Sequence, residues 1–570
     1  MGKGNGDGNG NGAREKPGRM RRVTSEVSIP DLLHPTPMTR IDVEATRLAI
    51  ALAFASGVSG GLFGDALERA TVAPSSWEPA AFARDLFVQN FVSLCFKPKV
   101  GGSDATPVTA YLVKVLTRPP QDARTVEHRR AIMTELMESP EMRSQLEKLY
   151  ASLCRFRTLL EGATGLGRYD ANRRQLDLLG AIKEIVDGMA EGFREARSGL
   201  SALAAFGQRV RQGEPYASLA DLLRYDEKLA TLDLKVSVGA DGQIRGFQLL
   251  SVEENRENPF VSSPVRRWLA KLELFLRGFR FSDGEIMARL IDAVFAGIEG
   301  EVAKLVQLFG DVEFYLGALA FRDQALGAGL AVCMPKLVAP EQPRVLHGLF
   351  NPLLLAHGVK PIPCDIDTDR HDTTLLLTGP NSGGKTRLLQ SVGLAQLLAQ
   401  SGLFVAAREA TLSLAPSLVV SLIQETTADQ AEGRLGMELM RIRVLFESLP
   451  PGAMVILDEL CSGTNPSEGE EIAELVIRTL TRLRPQAFIT THFLTFAARL
   501  EKEAQIPDLR FLQVVLGPSH EPTYQFAPGV ATTSLAGHAA ARLGVTGEQL
   551  LGLVDRNIAA AKVRPGESGR

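Results

Sequence analysis

A glycine-rich loop that ends in lysine and threonine is the strongest chemical signal in this sequence. Residues 379–386 read GPNSGGKT, which matches the pattern G-x-x-x-x-G-K-[ST], and the apolar run TTLLLTG (373–379) leads directly into it. Glycines allow backbone N–H groups to turn toward a phosphate, and the N-terminus of a following helix adds a favourable dipole. The loop therefore predicts a nucleotide site of the phosphate-binding-loop (P-loop) type.

Each residue of this loop is a candidate ligand of ATP. Lys385 should contact the β- and γ-phosphates, and Thr386 should provide a hydroxyl to Mg²⁺. The alternative is a glycine-rich turn with a chance Gly-Lys-Thr, and the two motifs described next disfavour it. The predicted nucleotide-binding residues are Gly379, Pro380, Asn381, Ser382, Gly383, Gly384, Lys385 and Thr386.

Two acidic residues follow a second apolar run, in MVILDE (454–459). The carboxyl ends of parallel strands meet at one edge of a sheet, so these acids would lie beside the phosphates. We predict that Asp458 holds Mg²⁺ together with Thr386, and that Glu459 polarises the attacking water as the catalytic base. An apolar run that ends in Asp-Glu is a weak signal alone, but it becomes strong after a complete phosphate-binding loop.

A histidine ends a third apolar run, AFITTH (487–492). His492 could sense the γ-phosphate and orient the water, so we predict a catalytic role for it beside Glu459. A strand-terminal histidine that makes only structural hydrogen bonds is the alternative interpretation. With ATP and Mg²⁺ as cofactors, the three motifs together predict hydrolysis of ATP to ADP and phosphate.

The elements that must position these motifs change character near residue 340. From about 40 to 340, apolar residues recur at three- and four-residue spacing, which predicts helices. After about 340, short continuous apolar runs alternate with helical patterns, as in a parallel sheet covered on both faces. The predicted fold is a mainly α-helical part followed by an α/β P-loop NTPase domain, with 340–343 (PEQP) as a linker.

Four further segments have a distinct composition. Alternating residues at 232–254 predict a β-hairpin inside the helical part. Residues 1–25, which are rich in Gly and Asn and then basic, and the tail from about 562 are predicted to be disordered. The uncharged segment 48–64 is barely long enough to span a bilayer, and its serines and glycines favour a buried helix instead. We therefore expect no membrane partner.

The overall composition constrains the partners and the compartment. The net charge is −3, so any contact with nucleic acid must come from local basic patches. The five cysteines are scattered and contain no C-x-x-C pair, which argues against disulfides and zinc and fits a reducing compartment. A cytoplasmic location is expected.

Several phrases resemble the MutS family of DNA-repair ATPases. The loop GPNSGGKT has the family's double glycine before lysine, and DELCSGTNPSEGEEIA (458–473) resembles D-E-x-x-x-G-T-x-x-x-[ED]-G. ITTHF (489–493) resembles A-T-H-[YF], and PGVATTSLAGHAAARLGV (528–545) is similar to the family segment that begins P-G-x-A-x-x-S-x-G. Residues 108–149 resemble the start of the family's helical core.

The resemblance implies a dimer in which two ATPase domains face each other and helical levers clamp DNA. It implies an ABC/MutS-like ATPase domain at 341–515 and a core and lever region at 26–340, which includes the hairpin. Residues 516–570 would form a helical dimerisation element. DNA and a second copy of the chain are the implied partners, in repair or recombination.

Three departures from the family pattern bear on this expectation. The core-like segment begins by about residue 100, and the first 150 residues lack a Phe-x-Glu phrase, so we expect recognition of DNA structure rather than of mismatches. The phrase ADQAEGRLGME (428–438) lacks the serine of the family's trans-acting signature, although Gly433 and Arg434 could still approach a partner's nucleotide. The helical part has one basic run, which is either a DNA-contacting surface or a solvated helix face: Arg266, Arg267, Lys271, Arg277 and Arg280.

Two other functions compete with the DNA clamp. The net charge is compatible with an ATP-driven conformational switch that acts on protein partners without binding DNA. A transporter-type ATPase subunit is disfavoured, because the Leu-Ser-Gly-Gly phrase of that class is absent between Lys385 and Asp458.

Overall fold

The computed structural model describes most of the chain. Helices dominate its first part, and mixed sheets with intervening helices form its second part. Several segments named above lie outside the described residues, including the basic run at 266–280, the phrase at 428–433 and most of the segment at 533–545. The described ranges are 29–57, 60–162, 171–227, 231–238, 244–253, 283–422, 434–461, 465–519, 521–532 and 543–562.

Three helices of the first part begin after polar residues that cap their backbone N–H groups. Asp42, Asp122 and Ser139 each accept a hydrogen bond from an N–H of the first helical turn, as good N-caps do. The helices are α1 (Val43–Ser56), α2 (Leu62–Arg69), α3 (Val88–Cys95), α4 (Thr109–Thr117), α5 (Ala123–Glu138), α6 (Pro140–Glu161), α7 (Ala171–Gly192), α8 (Ser201–Arg211), α9 (Glu214–Glu227) and α10 (Asp283–Gly327).

Helix α10 is the longest described element and organises the helical part. Its 45 residues correspond to about 68 Å of helix. It contacts α1, α6, α7 and α9, and its buried Asp311 accepts two hydrogen bonds from the Arg40 guanidinium, at 2.7 and 2.6 Å. Arg40 also donates to Asp31 at 2.8 Å and to the Tyr111 hydroxyl. This network fixes the extended segment around residues 31–40 against the helix.

Two antiparallel strand pairs interrupt the helices. Strands β1 (Lys99–Val100) and β2 (Ser103–Asp104) form a short pair. The hairpin predicted at 232–254 corresponds to β3 (Thr231–Val238) and β4 (Ile244–Glu253), which pair antiparallel from one end to the other. Its turn, residues 239–243, lies outside the described residues.

The uncharged segment at 48–64 is divided between two helices. Helix α1 ends before Gly57, which adopts a left-handed conformation with φ of 71°, and α2 begins at Leu62. The sequence analysis predicted a buried helix here. Leu48 and Leu52 are exposed, so α1 is buried on one face only. No helix among the described residues is both long and apolar enough to cross a bilayer.

A six-stranded sheet forms the centre of the second part. Its strand order is β10-β11-β12-β8-β13-β14, in which β14 alone runs antiparallel to its neighbour. Every residue of β8, β11 and β12 is buried, as the continuous apolar runs predict. The strands are β8 (Thr374–Thr378), β10 (Leu418–Ser421), β11 (Met454–Leu457), β12 (Gln486–Thr490), β13 (Leu509–Leu516) and β14 (Pro522–Pro528).

The second part also contains a smaller, four-stranded sheet with the strand order β5-β9-β6-β7. Its strands are β5 (Lys336–Leu337), β6 (Arg344–Leu349), β7 (Cys364–Thr368) and β9 (Glu409–Leu412). The helices of this part are α11 (Pro352–Ala356), α12 (Lys385–Gln400), α13 (Arg434–Ser448), α14 (Pro466–Thr481), α15 (Leu494–Glu503) and α16 (Gly547–Lys562).

The sheet extends beyond the boundary that the sequence placed at 515. Strand β14 pairs with β13 from Pro528 opposite Leu512 to Pro522 opposite Leu516, and the described helix of the C-terminal segment begins only at Gly547. Residues 522–528 are therefore an edge strand and not part of a helical element, because their backbone groups pair with β13.

The two parts share one apolar core. Trp77 is buried and donates from its indole N–H to the Ala415 carbonyl at 3.0 Å, and Asp85 accepts the Leu422 N–H at 2.6 Å. A Cβ added at Gly393 of α12 would lie 2.7 Å from the Leu86 side chain, so α12 packs directly on this segment. Residues from both parts belong to a single continuous cluster of buried side chains.

Candidate functional site

The glycine-rich loop connects β8 to α12 and depends on glycine at defined positions. Gly379 and Gly384 have φ of 136° and 85°, values that favour glycine. A Cβ at Gly379 or Gly383 would lie 2.7 Å from the Val514 side chain on β13. Glycine at these positions therefore allows the loop to pass close to β13 and to lead into the N-terminus of α12.

Lys385 is the first residue of α12, and its side chain folds back over the loop. It is 3% exposed, and its Nζ donates to the carbonyls of Gly379 at 2.9 Å and Pro380 at 3.1 Å. Burial lowers the pKa of Lys385, although the charges of Glu459 and Asp458 oppose this shift. In the described part of the chain no carboxylate lies within ion-pair distance of it, so this buried cation has only neutral partners.

The two predicted metal ligands are in direct contact. Thr386 donates its hydroxyl to Asp458 Oδ2 at 2.5 Å, although they are 72 positions apart in sequence. A hydroxyl and a carboxylate at an exposed position are hard oxygen donors of the kind that Mg²⁺ prefers. The donor set therefore fits a magnesium ion coordinated at the edge of the sheet.

Strand β12 supplies a contact that the sequence motifs did not single out. Thr490 is fully buried, donates its hydroxyl to Asp458 Oδ1 at 2.5 Å and accepts the Glu459 N–H at 2.7 Å. The only sequence signal was a hydroxyl at the end of a predicted strand. The contact depends on strand order, since β11 and β12 are neighbours with Leu457 opposite Ile489.

The two predicted catalytic residues lie near this edge but do not contact each other. Glu459 has a left-handed backbone with φ of 52°, and in the described residues its carboxylate has no hydrogen-bond partner. His492 is exposed, and its ring lies 4.1 Å from that of Phe493. Among the described residues, neither side chain has a hydrogen-bond partner, whereas those of Lys385, Thr386 and Asp458 do.

The remaining loop residues differ in accessibility. Ser382 is exposed, Pro380 accepts the Gly383 N–H at 2.9 Å, and the side chain of Asn381 lies outside the described structure. Tyr524 on β14 was also missed by the sequence analysis: a Cβ at Gly384 would lie 3.0 Å from its ring. The exposed edge of the loop thus combines backbone N–H groups, a buried cation and an aromatic ring.

Comparison with known proteins identifies the region that contains this site. A family model described as MutS domain V matches residues 375–556. Proteins named endonuclease MutS2 are similar over part of the chain. The one from Thermomicrobium roseum is 31% identical over 240 residues, which are 40% of this chain and 30% of that protein.

Two other relatives match this chain with similar identity and over a similar share of its length. The protein from Thermus thermophilus is 35% identical over 207 residues, or 36% of this chain and 27% of that protein. The protein from Streptococcus mutans is 29% identical over 242 residues, or 42% and 29%. The matched region thus spans less than a third of each relative's length. The family match includes Lys385, Thr386, Asp458, Glu459 and His492.

Proposed function

We propose that this chain is a Mg²⁺-dependent ATPase of the MutS family. The observation that carries the proposal is the contact between Thr386 and Asp458 beside the buried Lys385, which has no anionic partner among the described residues. A triphosphate would supply the missing negative charge, and the metal would supply positive charge that stabilises the phosphates.

Each side chain of the site has a distinct task in this proposal. Lys385 exchanges its two carbonyl partners for phosphate oxygens, and loop N–H groups donate to the same phosphates. Thr386 and Asp458 hold the metal, and Glu459 accepts a proton from the attacking water. His492, which is exposed at the same edge, orients that water or senses the γ-phosphate.

The family resemblance supports a division of labour along the chain. We propose an ABC/MutS-like P-loop NTPase domain that begins near residue 341 and includes β14, and a core and lever region at 26–340. In the lever region, α10 is long enough to carry a movement at one end over several tens of ångströms.

A homodimer is the second element of the proposal. Helix α16 exposes an apolar set of side chains that a monomer would leave in water: Leu550, Leu551, Leu553, Val554 and Ile558. Burial of such a set in a second copy is favourable, at roughly 25 cal/mol per Å² of apolar area. Sedimentation of the full chain at micromolar concentration should show a dimer, and a monomer with and without ATP would contradict this.

We propose that the dimer binds DNA by its structure and that ATP opens and closes the clamp, in repair or recombination in the cytoplasm. Similarity to the MutS2 proteins supports a DNA partner, but the endonuclease activity in their names is not extended to this chain, because less than a third of each is matched. The second candidate is a conformational switch for protein partners, which the net charge of −3 favours.

The ATPase proposal is tested by phosphate release from Mg²⁺-ATP with the full chain and with Lys385→Ala. The parent should hydrolyse ATP and the variant should lose productive binding, because the loop then lacks its cation. Equal hydrolysis by both would show that the site is wrong.

DNA and protein partners are separated by retention on mismatched, branched and homoduplex DNA at increasing salt. A DNA clamp should be retained and should lose affinity steeply with salt, because phosphate contacts release counterions. No retention at low salt, with or without ATP, would favour the protein-partner switch.

A further inference from the structure

The hydroxyl of Thr490 lies between the two acidic residues of the site. A hydroxyl has one hydrogen to donate and two lone pairs to accept with. Thr490 donates to Asp458 Oδ1 at 2.5 Å and accepts the backbone N–H of Glu459 at 2.7 Å. One fully buried atom therefore holds two consecutive residues that have different tasks in the proposed reaction.

The first of these bonds orients the Asp458 carboxylate. Thr386 donates to one carboxylate oxygen and Thr490 donates to the other, so one oxygen is held from helix α12 and the other from strand β12. Thr386 is exposed and would exchange its partner for a metal ion, whereas Thr490 is buried and would stay in place. The Thr490 bond thus keeps the carboxylate aimed at the metal position when Thr386 changes partner.

The second bond holds the backbone at Glu459. With φ of 52°, Glu459 occupies a left-handed conformation that is unfavourable for a residue other than glycine and persists only when neighbours enforce it. The Thr490 oxygen accepts the N–H of this same residue. Without that acceptor, the backbone could relax and the carboxylate would leave the edge of the sheet.

We propose that Thr490 is a positioning residue, which aims Asp458 at the metal and Glu459 at the attacking water without touching the nucleotide. The inference rests on the proposed ATPase function and names one more residue of that site. Turnover would then depend in part on the Thr490 hydroxyl, which contacts Asp458 and Glu459 rather than the nucleotide.

The test compares Thr490→Val, Thr490→Ser and a matched control, Thr374→Val. Valine keeps the shape of threonine but leaves the Asp458 oxygen and the Glu459 N–H without partners, whereas serine keeps the hydroxyl. Thr374 is equally buried on the adjacent strand β8, and its hydroxyl has no partner in the described part of the chain. Its replacement by valine removes a buried hydroxyl without affecting the site.

We expect turnover of Thr490→Val to fall about 10- to 100-fold, the effect of losing one or two buried hydrogen bonds of roughly 1–3 kcal/mol in total. The Mg²⁺ concentration for half-maximal binding of a fluorescent ATP analogue, measured without turnover, should rise about 10-fold, while KM for ATP should change less than about 3-fold because Lys385 and the loop remain. Thr490→Ser should restore both values to near those of the parent, and Thr374→Val should resemble the parent.

Several outcomes would overturn the inference. Turnover and Mg²⁺ requirement of Thr490→Val within about 2-fold of the parent would do so, as would equal losses in the serine and valine variants, which would indicate a packing role for the methyl group. If Thr490→Val does not fold by circular dichroism, Thr490→Ala takes its place, and unfolding of both would assign Thr490 to stability. A parent without ATPase activity would instead refute the proposed function itself.

Discussion

Two buried cations, Arg40 in the helical part and Lys385 in the second part, lie in sites that are built in opposite ways. Arg40, in the helical part, is surrounded by Asp31, Asp311 and the Tyr111 hydroxyl. Within the described part of the chain, Lys385, at the edge of the large sheet, has only two backbone carbonyls as partners. Both side chains are almost completely removed from solvent.

The surroundings explain why the two cations respond differently to burial. Burial alone would lower the pKa of Arg40, but the charges of Asp311, Tyr111 and Asp31 raise it well above its usual value. Burial lowers the pKa of Lys385, because Glu459 and Asp458 act only from a distance. A buried cation with its anions in place stabilises a fold, whereas one without them is available to a ligand.

The largest expected effect is on Arg40. Arg40→Met should lower the free energy of unfolding by about 3–5 kcal/mol, because Asp31 and Asp311 would be left buried without their counter-ion. Urea denaturation measures the loss, and Arg155→Met is the control. Arg155 pairs with Glu184 at a well-exposed position, where a salt bridge contributes only about 0–1 kcal/mol. Similar losses of unfolding free energy in the two variants would show that the buried Arg40 network stabilises the fold no more than an exposed salt bridge does.

The two carboxylates at the sheet edge should separate binding from turnover. Glu459→Gln should reduce hydrolysis by roughly two to four orders of magnitude and retain binding of ATP and Mg²⁺, because Lys385, Thr386 and Asp458 remain. Asp458→Asn should weaken Mg²⁺-dependent binding itself. Affinity from a fluorescent ATP analogue and turnover from phosphate release are measured side by side. Near-parental turnover of Glu459→Gln would remove the catalytic role from this residue.

A buried acid, Glu313, can be compared with Lys385, because burial also shifts its pKa toward the neutral form. Glu313 on α10 accepts hydrogen bonds from the Val108 N–H at 2.8 Å and the Tyr150 hydroxyl at 3.0 Å, and burial raises its pKa from 4.5 to about 7. The folded protein therefore holds a proton that the unfolded chain has released between these pH values. The resulting stability is complete below pH 4.5 and is lost as the pH rises toward about 7.

This dependence is expected to amount to about 3 kcal/mol, from the difference of the two pKa values. Unfolding free energies of the parent and of Glu313→Gln should be compared across that pH window. The glutamine variant should lack this component of the slope, since its amide does not titrate. Parallel slopes would mean that Glu313 is ionised in the folded state at all these pH values.

The smallest change in stability is expected at Lys385. Lys385→Met should alter the free energy of unfolding by less than about 1 kcal/mol, because no buried anion loses its partner. The same variant should lose about 10- to 100-fold in ATP affinity, since charged hydrogen bonds to phosphate contribute roughly 1.5–3 kcal/mol. Chemical denaturation without nucleotide and titration with nucleotide test the two halves of this expectation. A loss of stability comparable to that of Arg40→Met would abolish the contrast.

The sequence indicated that Lys385, Thr386 and Asp458 lie close together, but it did not indicate the Arg40 network, and the reason is physical. Three local patterns indicate the first site: the phosphate-binding loop, its apolar strand and the Asp-Glu pair. Each of them can be recognised within a short stretch of sequence. Arg40 and Asp311 are 271 positions apart, and neither lies in a phrase that indicates a partner. Thr490 was missed for the same reason, because its contact with Asp458 depends on which strands become neighbours.

The sequence did not reveal a strand beyond residue 515, because an edge strand with mixed burial leaves little periodic signal. Strand β14 was assigned to a helical segment, although its backbone pairs with β13. In contrast, the helices of the first part follow from apolar spacing, and the strand pair at 231–253 follows from alternation.

The shared core between the two parts has a practical consequence for dissecting the protein. Trp77 and Asp85 bind backbone groups at Ala415 and Leu422, and Leu86 packs against Gly393. A fragment that starts near residue 341 would expose this surface to water and lose the acceptor for the Leu422 N–H. Limited proteolysis in the helical half should therefore yield nicked chains that stay together, and the nucleotide-binding half expressed by itself should aggregate.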